Sequence, residues 1–421
     1  MALSSLQLHK QTLSNGLPVL LVHRPGERVV TLDCWVSVGS ANEPAGIGGV
    51  SHFLEHMLFK GTQRRGVGEI DRLVESVGGY LNAATSHDFT HYYITVAADD
   101  FPVAADVLAD VLENATLDSQ ELDRERKVIL EEYARKQDDP QGFLWDALYE
   151  RVFDQGPYKA SVLGEPETLA LINHDNMLDY YHRHYVPSNL VLIVVGDVEP
   201  ERALPLLEQH FAGFNRPYRP LLPPDSVPTV YARGVREVFE RDVQETYGTL
   251  TFPAPSMRDD PVATCALDVL QFVLGGGNAS RLYQEIKEKR RLATSIFAGY
   301  SSSRHPDLFY VAYTCSDEKR EELERVALEE LDRVRQAPIP PAELDRARKL
   351  LINAHRFSLE TSGGQSGSIG YYYTVTGSPD FEWNYADCIR AVTAEHVQEQ
   401  ARRWLDPEQR ATVALRPKAG L

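Results

Sequence analysis

The residues best suited to chemistry stand in one short run, Ser51-His52-Phe53-Leu54-Glu55-His56-Met57-Leu58-Phe59-Lys60-Gly61-Thr62. On a helix, His52 and His56 share a face at i and i+4, and Glu55 at i+3 lies beside them. Two imidazoles one turn apart can close on one divalent ion. A neighbouring carboxylate that does not ligate can take a proton from metal-bound water. The bland alternative is a core helix whose histidines find hydrogen-bond partners. Burying two imidazoles and a carboxylate among Phe, Leu and Met without a task is costly, which argues against it.

A two-histidine site lacks a ligand, and the sequence offers one on a second helix. Glu121 to Asp139 reads as one long helix in which Leu122, Glu125, Ile129, Glu132 and Tyr133 fall on one stripe, whereas Glu131 is turned roughly 100° from Glu132. Acidic groups are rarely buried unless paired or metal-bound, so Glu125 and Glu132 need a partner. A buried Glu is an acceptable third zinc ligand; a salt bridge inside the domain is the other reading. The second half of the chain bears on the choice. Glu121-Leu-Asp-Arg-Glu-Arg-Lys-Val-Ile-Leu-Glu-Glu132 lines up with Glu343-Leu-Asp-Arg-Ala-Arg-Lys-Leu-Leu-Ile-Asn-Ala354, an offset of 222 residues from 121 to 343. In the copy Glu125 becomes Ala347 and Glu132 becomes Ala354, so the helix is kept and its carboxylates are not. An offset of about half the chain marks duplication of a whole domain. The helix ending Leu270-Gln-Phe-Val-Leu274 is a looser counterpart of the His52 helix and has no histidines.

The elements that must position these groups follow from pattern. Asn15-Gly16 is a hairpin signal, and Val29 to Val38 reads as a strand whose following loop delivers the chain to the His52 helix. A second helix is expected around Val67 to Val77, then a strand Tyr80 to Thr85. Its small residues Leu81-Asn82-Ala83-Ala84-Thr85 would let another backbone approach, as a sheet edge taking up a peptide requires; an ordinary strand is the alternative. His91 to Ala97 and Asn189 to Val195 read as strands, Val103 to Leu117 and Pro200 to Phe211 as helices. His182 and His184 at i, i+2 do not face each other on a helix, and metal binding there is disfavoured. Phe214 to Val230 is rich in proline, an extended linker. Domain boundaries of 1–214, a linker 215–232 and 233–421 follow. Gly275-Gly-Gly-Asn-Ala-Ser-Arg-Leu282 lacks the ending of a phosphate cradle and reads as a loop or helix cap. Thr361 to Gly370 reads as a flexible loop.

At 421 residues, two domains are the natural expectation. A composition 43% hydrophobic and 25% charged is that of a soluble globular protein. The formal charge of −18 argues against nucleic acid or an anionic membrane as the main partner and favours basic peptides. Cys34, Cys265, Cys315 and Cys388 are scattered, which suggests neither a thiolate metal site nor a disulfide framework and fits a reducing compartment. Met1 to Gly16 has no apolar or Arg-rich leader pattern, and no run approaches the ~20 residues of a membrane span, so a cytoplasmic location is expected.

These residues resemble those of the M16 (inverzincin) metallopeptidases, in particular the short bacterial members related to the mitochondrial processing peptidase. The H-x-x-E-H order, the reverse of H-E-x-x-H, followed by Glu125 and Glu132, carries the likeness. Further matches are Asn15-Gly16, Phe59-Lys60-Gly61-Thr62, Asn82-Ala83 with Thr90, Pro187 to Gly196, and Gly275 to Leu282. The resemblance implies an α+β fold of two homologous domains, each an antiparallel sheet packed with helices. It implies one zinc per chain on His52, His56 and Glu132 with a water in the fourth position, Glu55 as general base, and Glu125 orienting the site. Substrate peptide would add as a strand along Leu81, Asn82, Ala83, Ala84 and Thr85, inside a chamber enclosed by two chains. The family's Arg/Tyr pair, seven residues apart in the zinc-free domain, is replaced here by Lys287 and Thr294. That implies a heterodimer in which a paralogous subunit supplies the pair; a homodimer relying on Lys287 is the alternative. The expected function is peptide-bond hydrolysis by a zinc endopeptidase; a catalytically inactive scaffold of the same fold is the other reading.

Overall fold

In the computed structural model, residues 7–220 and 227–418 are described, so part of the Pro-rich linker expected over 215–232 lies outside the described residues. The first half runs β1 (Leu8–Thr12), β2 (Pro18–His23), β3 (Val29–Val36), α1 (Val50–Leu58), α2 (Glu69–Ser76), β4 (Tyr80–Thr85), β5 (Thr90–Ala97), α3 (Phe101–Asn114) and α4 (Ser119–Asp138). It continues through α5 (Pro140–Val152), β6 (Phe153–Gln155), α6 (Pro166–Leu169), α7 (His174–His184), β7 (Leu190–Gly196) and α8 (Pro200–Phe211). The second half runs β8 (Val230–Tyr231), β9 (Arg236–Arg241), β10 (Thr246–Ala254), α9 (Pro261–Gly275), β11 (Ser295–Tyr300), β12 (Asp307–Cys315), α10 (Arg320–Gln336) and α11 (Pro341–Ser358). It ends with α12 (Ser362–Thr376), α13 (Asp380–Ala391), α14 (Ala394–Trp404) and β13 (Ala411–Pro417).

Two compact units emerge, and neither is one continuous stretch of chain. One comprises 1–134, 160–226 and 358–382, and the other 135–159, 227–357 and 383–421. Each unit therefore takes in a segment from the other half of the sequence. The exchanged helices begin at Pro140 and Ser362, the same 222-residue offset that relates α4 to α11. The first unit holds a six-stranded sheet ordered β1-β2-β7-β3-β5-β4, antiparallel except for the β2/β7 pair. The second holds a five-stranded sheet ordered β11-β12-β10-β13-β9, with β13/β9 parallel. The α+β reading of two related sheets packed with helices therefore holds, with one parallel pair in each large sheet.

In the first unit β3 is buried on both faces, as its β-branched run Val-Val-Thr-Leu-Asp-Cys-Trp-Val allows. Val30, Leu32, Cys34 and Val36 point into the main core with α1, α3, α7 and α8. Thr31, Asp33 and Trp35 meet α12 on the opposite face. Thr31 Oγ1 bonds Ser362 Oγ at 2.9 Å, and Ser366 Oγ donates to Asp33 at 3.3 Å. A Cβ on Gly370 would stand 2.1 Å from the Trp35 ring. Four helical residues advance about 6 Å and two strand residues about 6.6 Å, so positions 362, 366 and 370 keep step with 31, 33 and 35.

The loop expected over Thr361 to Gly370 is thus a helix, a correction with a physical cause. Small residues every fourth position let the α12 backbone lie close on the sheet, and packing outweighs the poor helix propensity of glycine. The cysteine reading is corrected as well. Cys265 on α9 and Cys388 on α13, 123 residues apart in sequence, form a disulfide with Cα atoms 6.3 Å apart. No helix among the described residues is long and apolar enough to cross a membrane.

Candidate metal centre

Helix α1 begins after Gly49, whose φ of +90° and crowded Cβ direction suit only glycine. Its first turn is capped from a distance by Glu43, which accepts from Gly49 N at 2.6 Å and Ser51 N at 2.7 Å. Burial pushes the Glu43 carboxyl up to about 7, and those backbone donors hold it down. Ser51 Oγ also bonds Tyr180 OH at 2.7 Å, fixing α1 against α7. Phe53, Leu54, Met57 and Leu58 are buried, which leaves His52, Glu55 and His56 on the half-buried face.

Helix α4 supplies the opposite wall. Leu122, Glu125 and Ile129 are buried, Glu132 is half-buried and Glu131 is exposed, as the helical phase requires. The Nε2 atoms of His52 and His56 stand 3.8 and 3.6 Å from Glu132 Oε2. Among the described residues, His52, His56 and Glu132 form the one group of three or more such side chains able to hold a metal, their donor atoms all within 4.8 Å of one another. Those separations exceed a hydrogen bond. Two donors each about 2.0–2.1 Å from a shared ion in tetrahedral geometry stand roughly 3.3 Å apart, so the set needs little contraction to fit one. Two imidazoles and one carboxylate with an open fourth position are the donor chemistry of a catalytic zinc ion.

Glu125 does not join that set. Its Oε2 lies 3.2 Å from His56 Nδ1, and its Oε1 lies 2.7 Å from Lys60 Nζ. Glu55 is also outside it, and accepts a 2.5 Å hydrogen bond from Thr85 Oγ1 on β4. Burial raises the Glu55 carboxyl above its usual range; Thr85, His56 and His91 pull it down, and Glu132 adds to the rise. Strand β4 is the last strand in the order, so one of its edges borders no other strand of the sheet. Leu81, Ala83 and Thr85 are half-buried, and Tyr80, Asn82 and Ala84 are exposed. A cavity of about 490 Å³ opens beside Glu55 and His56, lined also by Phe59, Lys60, Val67, Asp71, Leu81 and Ala83.

Other sequence candidates lie elsewhere. His184 is buried and its pKa is depressed to about 4 by burial, whereas His182 is exposed; the pair gathers no ligand set. Lys287 sits over the Tyr283 ring and Thr294 hydrogen-bonds Glu245, all in the second unit. Sequence reasoning did not assign Lys60, although it lies only four residues after His56, just past the end of α1. It also missed His91, which faces Asp33 at 3.1 Å and stacks on Trp35.

Residues 18–166 match the family model described as Insulinase (Peptidase family M16), and residues 171–351 match that described as Peptidase M16 inactive domain. All the residues of the metal centre fall in the first match. An uncharacterised zinc protease of Streptomyces coelicolor is 31% identical over 402 residues, 94% of this chain and 86% of that one. The crystal structure of a protease from Helicobacter pylori superposes with a TM-score of 0.92 at 26% identity, covering 98% of this chain and 100% of that one. The peptidase M16 inactive domain from Pseudomonas fluorescens shares the fold, with a TM-score of 0.89 at 20% identity and 98% coverage of both chains. With the duplicated α+β fold, the converging donors and these likenesses together, the chain belongs to peptidase family M16.

Proposed function

We propose that this chain is a zinc-dependent endopeptidase that cleaves peptides or unfolded segments and serves as the zinc-bearing subunit of a dimer. The observation that carries the reading is the convergence of His52, His56 and Glu132, with Glu55 tied to the sheet edge beside them. When bound, one zinc per chain supplies a Lewis acid that polarises the scissile carbonyl and acidifies water. Glu55, held through Oε2 by Thr85, takes the proton of the attacking water and hands it to the leaving amine. Glu125 orients His56 through Nδ1. The β4 edge, Leu81 to Thr85, offers backbone groups to an extended peptide, which is thereby laid across Glu55.

Lys287 and Thr294 lack the fork of an Arg and the phenol of a Tyr, which supports a paralogous partner chain that completes the site. A cytoplasmic location is part of the proposal, and the Cys265–Cys388 bridge is the observation that weighs against it. The test uses the purified full-length chain. Metal analysis is expected to give about one zinc per chain, and cleavage of a quenched fluorescent peptide is expected to be slow alone and to rise when a similar-length chain lacking H-x-x-E-H is added. Glu55→Gln should keep the metal and abolish turnover. A metal-free wild type, inert with its partner, would favour the inactive scaffold instead.

A further inference from the structure

The charge on Lys60 is accounted for neither by the ligand set nor by the base. Lys60 lies two residues past the end of α1, and its backbone is held from several sides. Lys60 N donates to Met57 O at 3.0 Å, Thr116 N to Gly61 O at 3.1 Å, and Gln63 N to Asn114 O at 3.1 Å. Thr62 Oγ1 donates to Asp110 Oδ2 at 2.7 Å and itself accepts from Arg64 N and Arg65 N at 3.0 Å. Arg65 forks onto Asp106 and Asp110, the latter fully buried at its side chain. The root of a flexible lysine is thus clamped to the end of α3 and the start of the α3/α4 connection.

From that root the ammonium reaches one oxygen of Glu125, whose other oxygen faces His56 Nδ1. Glu125 is only 8% exposed. A carboxylate so placed without a cation would be an uncompensated buried charge, free to turn away from the imidazole. In the duplicated half the carboxylate is gone, since Ala347 stands at the position of Glu125.

We propose that Lys60 is a positioning residue of the metal centre, acting through Glu125 to fix His56 as the tautomer that carries its proton on Nδ1 and aims the Nε2 lone pair toward the ion. This rests on the zinc reading above. Lys60 does not touch the ligand set itself; it orders the group that orders a ligand.

The test measures zinc affinity of the full-length chain by competition with a chromophoric chelator, for wild type, Lys60→Met, Lys60→Arg, Glu125→Gln and the Lys60→Met/Glu125→Gln double variant. Melting of the metal-free forms checks that each variant folds. Removing an outer-shell partner typically weakens metal binding by about 10- to 100-fold, so Glu125→Gln is expected in that range and Lys60→Met near the tenfold end. Lys60→Arg, which keeps the charge, should recover most of the loss. The double variant should bind no more weakly than Glu125→Gln alone, because the two residues act in series. Zinc affinity indifferent to Lys60→Met would overturn the proposal while leaving the zinc reading intact. So would losses that multiply in the double variant, or a loss that Lys60→Arg shares. A wild type that binds no zinc, indistinguishable from His56→Ala, would remove the zinc reading itself and this inference with it.

Discussion

Thr85 Oγ1 lies 2.5 Å from Glu55 Oε2, so a single hydrogen bond joins a carboxylate on α1 to the free edge of the sheet. Glu55 and the proposed peptide rail are thereby set in one frame. Thr85→Val keeps the shape of the side chain and removes the donor. We expect zinc content to be unchanged and kcat/KM to fall about tenfold, with KM little altered, as for a lost orienting contact in the transition state. A loss carried by a rise in KM alone, read from steady-state kinetics with a fluorogenic peptide, would assign Thr85 to substrate binding instead.

Adjacent glutamates on α4 should behave oppositely. Glu132 converges with the two histidines, whereas Glu131 points outward. Glu132→Gln is expected to lose zinc after dialysis, and Glu131→Gln to retain it with wild-type turnover. Metal analysis decides this without reference to activity. Loss of zinc from the Glu131 variant would place the wrong face of α4 at the site.

His184 gives the fold a pH dependence of known sign. Its ring is 1% exposed, and among the described residues neither nitrogen has a hydrogen-bond partner. Burial lowers its pKa from the ordinary 6.5 to about 4. Between those values the unfolded chain binds a proton that the folded chain refuses, so this contribution is present above pH 6.5 and is lost as pH falls toward 4. The loss is on the order of 3 kcal/mol at its limit. His184→Leu should flatten the slope of stability against pH in that window and add about 1 kcal/mol above it, measured by urea unfolding. An unchanged slope would show that His184 titrates normally.

The Cys265/Cys388 pair makes a countable prediction. Unfolded in denaturant without reductant, the chain should show two free thiols, Cys34 and Cys315, and four after reduction. Cys388→Ser should lower the melting temperature, since a cross-link closing so long a loop stabilises by about 4 kcal/mol. Four thiols before reduction would mean that the pair is reduced in the protein as isolated, as a reducing cytoplasm would keep it.

Local chemistry was legible in the residues themselves. The spacing of His52, Glu55 and His56 sets which side chains share a helical face, and the phase of α4 separates Glu132 from Glu131, because helical geometry converts sequence distance into direction. The pattern shared by Glu121-Leu-Asp-Arg and Glu343-Leu-Asp-Arg identified the duplication, and Ala347 and Ala354 marked the carboxylates that the copy lacks. Tyr80–Thr85 was readable as a strand, and its place at the end of the sheet order came from the pairing of β5 with both β3 and β4.

Tertiary structure decided what sequence distance conceals. The glycine-rich 361–370 segment has the composition of a loop, yet it becomes α12 because Ser362, Ser366 and Gly370 fit the Thr31, Asp33 and Trp35 face of β3. No local preference encodes that match, which exists only when both surfaces are present. Cys265 and Cys388 could not be paired from the chain for the same reason. Lys60 stood in plain view four residues past His56, but its partner Glu125 lies on another helix, and only folding sets an ammonium 2.7 Å from that carboxylate. The sequence by itself singled out His52, Glu55, His56 and Glu132 as one constellation. The fold decided how they are held, since the groups that orient them act through space.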